Sequence, residues 1–175
     1  IILNIKYIIM ITDDEYIILY KKYLNFPNNY DEQIKKDIIR TYPELDFFKS
    51  DKNNNKLFNI LHALACHIPH IGYVQGMNFI TGYLLYKNNG NEFNTFKNLI
   101  ILFENKKYGL NTLYLKNLPK VFITIYQVKE ICKIHLPNIY IHFNKLFINY
   151  DSWLIGWIMT IFLKYPQKIG NSNIN

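Results

Sequence analysis

Residues 34–43 read Ile-Lys-Lys-Asp-Ile-Ile-Arg-Thr-Tyr-Pro, and the organisation of the chain can be worked out from this stretch. Apolar residues recur at helical spacing at Ile34, Ile38 and Ile39. This spacing predicts an amphipathic helix. Pro43 disfavours helical backbone at the residue before it, so the helix is expected to end just after Arg40. Arg40 would then lie on the last turn, three residues after Asp37 and able to pair with it.

Arg40 is the only arginine in a chain that otherwise uses lysine for its basic side chains. A guanidinium is a planar, permanently charged fork that can engage two phosphate oxygens at once, which an ammonium group cannot do. The position is therefore a candidate functional site. A chance surface arginine, paired with Asp37 in an ordinary solvated ion pair, is the alternative.

A second stretch, residues 71–80, reads Ile-Gly-Tyr-Val-Gln-Gly-Met-Asn-Phe-Ile. Gly72 and Gly76 permit backbone conformations or close approaches that a side chain would block. The apolar run after Gly76 predicts a helix with Gln75 at its entrance. A plain junction between a loop and a helix is the alternative.

Helical spacing and proline boundaries recur along the rest of the chain, and period-2 alternation is not sustained anywhere. Thr12 and Glu15 predict a capping box. Residues 51–55 are predicted to form a polar loop. Helices are predicted at Met77 to Tyr86, Phe96 to Phe103 and Ser152 to Lys164. Four further helices are predicted from apolar residues that recur at helical spacing and should face inward: Tyr16, Leu19, Tyr20 and Tyr23; Leu57, Leu61, Leu64 and Ile68; Leu118, Phe122, Ile125 and Val128; and Tyr140, Phe143, Leu146 and Phe147. We therefore predict an all-α fold.

Size and composition limit the function classes. The chain has 175 residues, enough for one domain with a sizeable core, and half of them are hydrophobic. The net charge of +7 comes from scattered lysines without a dense basic run, which argues against nucleic-acid binding. The two cysteines, Cys66 and Cys132, match no disulfide or zinc pattern and favour a reducing, cytoplasmic setting. The apolar stretches 1–11 and 153–163 are shorter than the ~20 residues that span a bilayer.

The sequence bears on two further kinds of site, a metal site and an active site with a substrate of its own. His62 and Cys66 lie one helical turn apart, near His67 and His70, a spacing that permits zinc binding. Since no second pair completes a known pattern, the histidines are expected to be structural or solvated and no metal is predicted. The chain has no Gly-x-x-x-x-Gly-Lys-[Ser/Thr] loop and no Gly-x-Ser-x-Gly elbow, which argues against a nucleotide hydrolase or a serine hydrolase.

Taken together, Ile-x-x-Asp-x-x-Arg-Thr-Tyr-Pro and Tyr-Val-Gln-Gly-Met-Asn resemble the TBC domain, the module of GTPase-activating proteins for Rab-type small GTPases. Trp157-Ile158-Met159-Thr160-Ile161-Phe162 is similar to a third motif of that family. The resemblance covers about residues 13–166 of a single domain fragment spanning 1–175, with 167–175 as a polar tail. The family's upstream Arg-x-x-x-Trp and downstream Trp-Asp signatures are not found. The fragment is therefore expected to lack some terminal helices, to expose apolar faces and to be marginally stable alone.

The resemblance implies that Arg40 and Gln75 are catalytic residues supplied in trans, an arginine finger and a glutamine finger. It implies supporting positions at Asp37, Thr41, Tyr73, Gly76 and Asn78. The implied partner is a Rab-type GTPase in its GTP-bound form, which brings its own Mg²⁺ and GTP, so no cofactor is expected. The implied setting is vesicle trafficking, in the cytoplasm, with recruitment to endomembranes through the partner. A TBC-like module that only binds a GTPase or another trafficking partner is the alternative.

Overall fold

The computed structural model describes residues 12–164, and within that range it has nine α-helices, one 3-10 helix and no β-strand. The helices are α1 (Asp13–Tyr23), α2 (Asp31–Ile38), α3 (Asp51–His67), α4 (Met77–Lys87), α5 (Glu92–Glu104), α6 (Leu110–Leu113), α7 (Pro119–His135), α8 (Pro137–Lys145) and α9 (Asp151–Met159), with the 3-10 helix at Asp46–Lys49. The predicted all-α fold is confirmed. The predictions for residues 1–11, for Pro166 and for the polar tail lie outside the described residues.

Helix α3 is the centre of the core and packs against α1, α2, α4 and α5. Its predicted stripe is buried at all four positions, Leu57, Leu61, Leu64 and Ile68. The predicted capping box at the start of α1 is also confirmed, because Thr12 and Glu15 each bond the other's backbone N–H. Across residues 12–164, no helix has the length and apolar character needed to cross a membrane.

The prediction of a polar loop at residues 51–55 is wrong, because α3 begins at Asp51. The asparagines of this stretch do not interrupt the helix. The side chain of Asn53 donates to the carbonyl of Phe47 at 2.8 Å, and that of Asn54 donates to the carbonyl of Phe48 at 3.0 Å. These bonds tie the first turn of α3 to the 3-10 helix before it and satisfy carbonyls that the helix backbone cannot reach.

Helix α2 ends at Ile38, so Arg40 lies in the following turn and not on the last helical turn as predicted. The Thr41 hydroxyl bonds the carbonyl of Asp37 at 2.8 Å, and the backbone of Tyr42 turns to a φ of 48°. Together they redirect the chain before Pro43. Ile39, predicted on the buried face of the helix, is 80% exposed beside Arg40.

The predicted inward faces of α7 and α8 are wrong in part. Helix α7 buries Val121 and Ile125, while Phe122 is exposed. Helix α8 fully buries none of its residues, and Phe147, just beyond its end, is 94% exposed. Helix α8 packs mainly against α7, and its Phe143 also contacts the rings of Tyr150 and Trp153 at the start of α9. Leu146 is exposed as well.

Helix α9 ends at Met159, five residues before the predicted end at Lys164. Ile161 and Phe162 adopt left-handed backbone with φ of 43° and 65°. The Phe162 N–H donates to the carbonyl of Trp157 at 2.8 Å, which closes the end of the helix. The chain then turns back, and the hydroxyl of Tyr42 donates to the carbonyls of Phe79 and Leu163.

Candidate functional site

Asp37 holds the side chain of Arg40 from the last turn of α2. The Arg40 Nε and Nη2 atoms donate to Asp37 Oδ1 at 3.0 and 2.6 Å. The carboxylate is 1% exposed, whereas the arginine side chain is 50% exposed. The pair therefore has a buried carboxylate and an accessible guanidinium. The other terminal nitrogen of the guanidinium, Nη1, makes no bond to Asp37.

Two further side chains complete the surroundings of the Asp37 carboxylate. The hydroxyl of Tyr73 donates to Oδ2 at 2.7 Å, and Gln33 Nε2 donates to Oδ1 at 3.2 Å. Burial, and then the hydrogen bond to Asp37, raise the pKa of the Tyr73 hydroxyl. The phenol thus keeps its proton and acts as a donor at neutral pH. A buried carboxylate needs such donors because it has lost its water.

A second chain of hydrogen bonds joins the Arg40 turn to the loop before α4. Asn78 Nδ2 donates to the hydroxyl of Thr41 at 2.7 Å, and Thr41 in turn donates to the carbonyl of Asp37. The Asn78 Oδ1 atom accepts from the Gly76 N–H at 3.0 Å. All of these groups are buried. Because each bond is internal, the two segments are held in one relative position.

Gly76 has backbone that only glycine can adopt easily in this place. Its φ is 114°, and a Cβ atom would lie 2.6 Å from the backbone carbonyl oxygen of Met159. The close approach brings the loop against the end of α9. Gln75, the preceding residue, is exposed, and its amide makes no hydrogen bond to any residue of the range 12–164.

Arg40 and Gln75 line the same cavity of about 350 Å³. The other lining residues are Val74, Gly76, Phe79, Leu118, Ile155, Gly156, Met159, Thr160 and Lys164. The wall is mostly apolar, and its charged members, Arg40 and Lys164, are both basic. Such a cavity can receive a negatively charged group and present to it a guanidinium and an amide.

The motif at residues 157–162, the third that resembles the family, lines one wall of this cavity with Met159 and Thr160. The Tyr114 hydroxyl donates to the carbonyl of Met159 at 2.6 Å, which fixes the end of α9 to α6 and the turn after it. Trp157 is partly exposed on the outer side of α9. The motif thus contributes shape to the site and no charged group.

All seven residues predicted for the site lie in or directly behind this cavity: Arg40, Gln75, Asp37, Thr41, Tyr73, Gly76 and Asn78. Sequence reasoning missed several further residues around the cavity, among them Gln33, Leu118 and Lys164. Gln33 could have been found from its i, i+4 spacing to Asp37. Leu118 and Lys164 carry no local signal, since they reach the cavity only through the packing of α7 and α9.

The histidine cluster makes protein contacts. His62 Nδ1 lies 2.7 Å from Asp31 Oδ1, and His67 Nε2 lies 2.8 Å from Glu104 Oε1. In the part of the chain that the structure describes, no three His, Cys, Asp or Glu side chains are grouped to hold a metal ion. Cys66 and Cys132 are free thiols, and burial raises the pKa of Cys66.

Comparisons with known proteins place the chain in one family. A family model described as Rab-GTPase-TBC domain matches residues 4–169. The "Rab GTPase-activating protein eat-17" of Caenorhabditis elegans is 34% identical over 155 residues, covering 87% of this chain and 17% of that protein. The "GTPase-activating protein GYP5" of Eremothecium gossypii is 34% identical over 149 residues, covering 85% and 17%. The chain thus spans about a sixth of the length of these relatives.

The fold has a counterpart among solved structures. The Chlamydomonas flagellar RabGAP TBC domain superposes with a TM-score of 0.70 at 24% sequence identity, covering 87% of this chain and 48% of that chain. At this identity the likeness concerns the fold alone.

Proposed function

Because the chain belongs to the Rab-GTPase-TBC domain family, we propose that it accelerates GTP hydrolysis by a Rab-type small GTPase in its GTP-bound form. Arg40 and Gln75 are the residues that it supplies to the partner's active site. The observation that supports this proposal is that both side chains line one cavity, with Arg40 held by a buried carboxylate.

The reaction determines what these two groups have to do. Water attacks the γ-phosphorus, the bond to the β–γ bridging oxygen breaks, and GDP and phosphate leave with the water's protons distributed between phosphate and solvent. Negative charge grows on the phosphoryl oxygens and on the leaving oxygen. A guanidinium supplied in trans stabilises that charge and is worth about 10³–10⁵ in rate, or roughly 4–7 kcal/mol of barrier.

Arg40 is arranged to do this at a small entropic cost. Asp37, whose other carboxylate oxygen is held by Tyr73, fixes one edge of the guanidinium, so the arginine side chain loses little conformational freedom when the partner binds. The Nη1 group remains for phosphate oxygens. Docking would exclude water from the cavity and so strengthen the attraction between guanidinium and phosphate.

Gln75 supplies the second function. Its amide can accept a hydrogen bond from the attacking water while it donates one to a phosphoryl oxygen. The bond between Asn78 and Gly76 holds the loop that carries it. Because Gln75 is exposed and makes no bond to a described residue, it can reach the partner without breaking an internal contact.

The proposal gives this protein no nucleotide and no metal of its own, since the Mg²⁺ and GTP belong to the partner. It also carries with it a cytoplasmic location and recruitment to an endomembrane through that partner. The basic net charge of +7 suits an acidic partner surface.

The test is single-turnover phosphate release from a panel of GTP-loaded Rab-type GTPases, with and without this protein. Arg40→Lys keeps the charge but removes the fork, and is expected to lower the rate by about 10²-fold or more. Gln75→Ala is expected to have a comparable effect. Gln127→Ala, on the exposed side of α7, is the matched control and is expected to leave the rate unchanged.

Circular dichroism of each variant shows whether it has folded. The proposal is supported if the chain accelerates hydrolysis by one GTPase and the Arg40→Lys variant does not. That GTPase is then the partner. A folded chain that captures a GTPase loaded with GDP and aluminium fluoride, but accelerates none, overturns it. That result would assign the binding-only alternative.

A further inference from the structure

Tyr114, directly after α6, is a buried tyrosine that does not itself line the cavity of Arg40 and Gln75. It is 1% exposed, and its ring stacks on that of Phe103 in α5, with ring centroids 5.7 Å apart and an interplanar angle of 15°. Burial raises the pKa of its hydroxyl, which therefore keeps its proton at neutral pH. The phenol is thus a hydrogen-bond donor whose position is set by the core.

The Tyr114 hydroxyl holds a carbonyl group at the end of α9. It donates to the carbonyl oxygen of Met159 at 2.6 Å, across 45 residues of sequence. Met159 is the last residue of α9, and the last carbonyls of a helix have no partner within the helix. The tyrosine therefore supplies a donor that the helix lacks, and it fixes the direction of this carbonyl.

The same carbonyl lies against the loop that carries Gln75. A Cβ atom at Gly76 would lie 2.6 Å from the Met159 carbonyl oxygen, so the backbone of Gly76 packs directly against that oxygen. The Met159 carbonyl thus lies between the Tyr114 hydroxyl and Gly76. If the carbonyl turned, the backbone of Gly76 would lose its support or be displaced, and the preceding residue, Gln75, would move with it.

We propose that Tyr114 is a positioning residue for Gln75, and that its hydroxyl, acting through the Met159 carbonyl, sets the place from which the Gln75 amide reaches the attacking water. The inference rests on the proposed function. Because Gln75 makes no hydrogen bond to a residue of the range 12–164, its placement depends on the backbone that carries it. Catalytic groups have to be held within about 0.5 Å, and a misplacement of about 1 Å can cost roughly 10²-fold in rate.

The test removes this one hydroxyl from the whole chain. Tyr114→Phe keeps the ring that stacks on Phe103. The matched control is Tyr20→Phe, because Tyr20 is also buried, packs its ring on Phe96 of α5 at 4.9 Å and donates its hydroxyl to Glu92 Oε1 at 3.1 Å. Tyr20 does not line the cavity. kcat and KM are measured with the GTPase identified above, and circular dichroism shows whether each variant has folded.

Tyr114→Phe is expected to lower kcat about fivefold to tenfold and to leave KM within about twofold, because Gln75 acts on the water after the partner has docked. Tyr20→Phe is expected to leave both constants unchanged. The decisive measurement is a double-mutant cycle with Gln75→Ala. Without the glutamine amide the hydroxyl has nothing left to position, so adding Tyr114→Phe to Gln75→Ala should cause no further fall in kcat.

An equal fall in kcat with and without the Gln75 side chain overturns the inference, since the hydroxyl would then only support the wall of the cavity. A folded Tyr114→Phe protein with the wild-type kcat overturns it as well. The proposed function stands in both cases. Phe103→Leu, which removes the stacked ring and keeps the hydroxyl, is a second variant in case Tyr114→Phe does not fold. The same dependence on Gln75 is expected of it, and an effect independent of Gln75 has the same meaning.

A last arm separates failure of the inference from failure of the proposed function. If the chain binds the GTPase loaded with GDP and aluminium fluoride but does not accelerate hydrolysis, the proposed function fails. The same cycle is then measured on the dissociation constant of that complex. Tyr114→Phe should weaken the complex only where Gln75 is present, and equal weakening in both backgrounds overturns the inference. If the chain binds no GTPase, the inference and the proposed function both fail.

Discussion

The hydroxyl of Tyr73 donates to Asp37 Oδ2 at 2.7 Å, on the carboxylate oxygen opposite the one that Arg40 occupies. The phenol thus reaches from the loop before α4 to α2 and satisfies the remaining side of a buried carboxylate. This relationship makes the position of Arg40 depend on two segments of the chain that are distant in sequence.

Tyr73→Phe removes this hydroxyl and leaves Asp37 Oδ2 without a donor. We expect the free energy of unfolding to fall by about 1–3 kcal/mol, because a buried acceptor loses its partner. Urea denaturation followed by circular dichroism measures the change. Tyr126→Phe on the exposed side of α7 is the control and should have no effect. Equal stability of the two variants would show that Oδ2 is satisfied in another way.

Asp37→Asn is predicted to have a far larger effect than Asp46→Asn, although each aspartate pairs with a basic residue three positions later. The Asp46–Lys49 pair is solvent-exposed, so its loss should have little effect on stability. In Asp37→Asn, the new side-chain NH₂ group is a donor and would face the donor groups of Arg40 or Tyr73, where the carboxylate had accepted from both. We expect a loss of about 1–3 kcal/mol in stability.

The same pair of variants tests the positioning of Arg40. With Arg40 no longer held, phosphate release in the assay described above should slow about tenfold or more, which corresponds to about 1.4 kcal/mol of barrier. Asp46→Asn should leave it unchanged. A folded Asp37→Asn protein with the wild-type rate would show that the carboxylate does not orient the arginine.

Gly76→Ala and Gly156→Ala are expected to change stability in opposite directions. At Gly76 the new Cβ would lie 2.6 Å from the Met159 carbonyl oxygen, on backbone with φ of 114°, so the loop carrying Gln75 has to move. At Gly156, inside α9, a Cβ would meet nothing within 4 Å. Alanine there should stabilise the helix by about 0.5–1 kcal/mol. Thermal melts compare the two; destabilisation by both would contradict the steric argument.

Phe147 stands where helices favour glycine, and Phe147→Gly should stabilise the protein. The N–H groups of Phe147 and Ile148 bond the carbonyls of Asn144 and Phe143, the pattern of a Schellman motif with Phe147 in left-handed backbone. Its side chain is 94% exposed, so little packing is lost. After allowing for the extra freedom of glycine in the unfolded chain, we expect a gain of up to about 1 kcal/mol.

Leu146→Gly is the control for this change, because the backbone at Leu146 has a φ of −91° and gains nothing from glycine. It should be neutral or destabilising in the same thermal melt. A gain of equal size in both variants would mean that removing exposed apolar surface, and not relief of backbone strain, is the cause.

The exposed apolar surface of α7 and α8 predicts that the chain by itself is only marginally stable. Ile123, Tyr126 and Ile134 are exposed in addition to Phe147. We expect the 175-residue chain to melt at or below the lower end of the range of about 45–65 °C that is typical of mesophile domains, and to bind a hydrophobic dye before it unfolds. A cooperative transition well above that range would contradict this.

How well the sequence predicted the structure differs from one part of the chain to another. Local patterns were sufficient for the capping box of α1 and the stripe of α3, because a helix buried on one side has a period that its own residues carry. They failed at residues 51–55, where asparagine side chains bond the preceding 3-10 helix. They failed again at Phe122 and in α8, because a period shows which residues share a face and not whether another helix covers that face.

The sequence by itself determined that this chain is helical and that Arg40, its only arginine, and Gln75 belong to two recognisable motifs. Their catalytic roles remain a prediction. Only the tertiary structure decided that both line one cavity, with Gln33 and Lys164 beside them. The physical reason is that this arrangement depends on hydrogen bonds between α2 and the start of α4, through Thr41 and Asn78, and on the contact of Gly76 with α9. These contacts join segments that are far apart in sequence, and no local period encodes them.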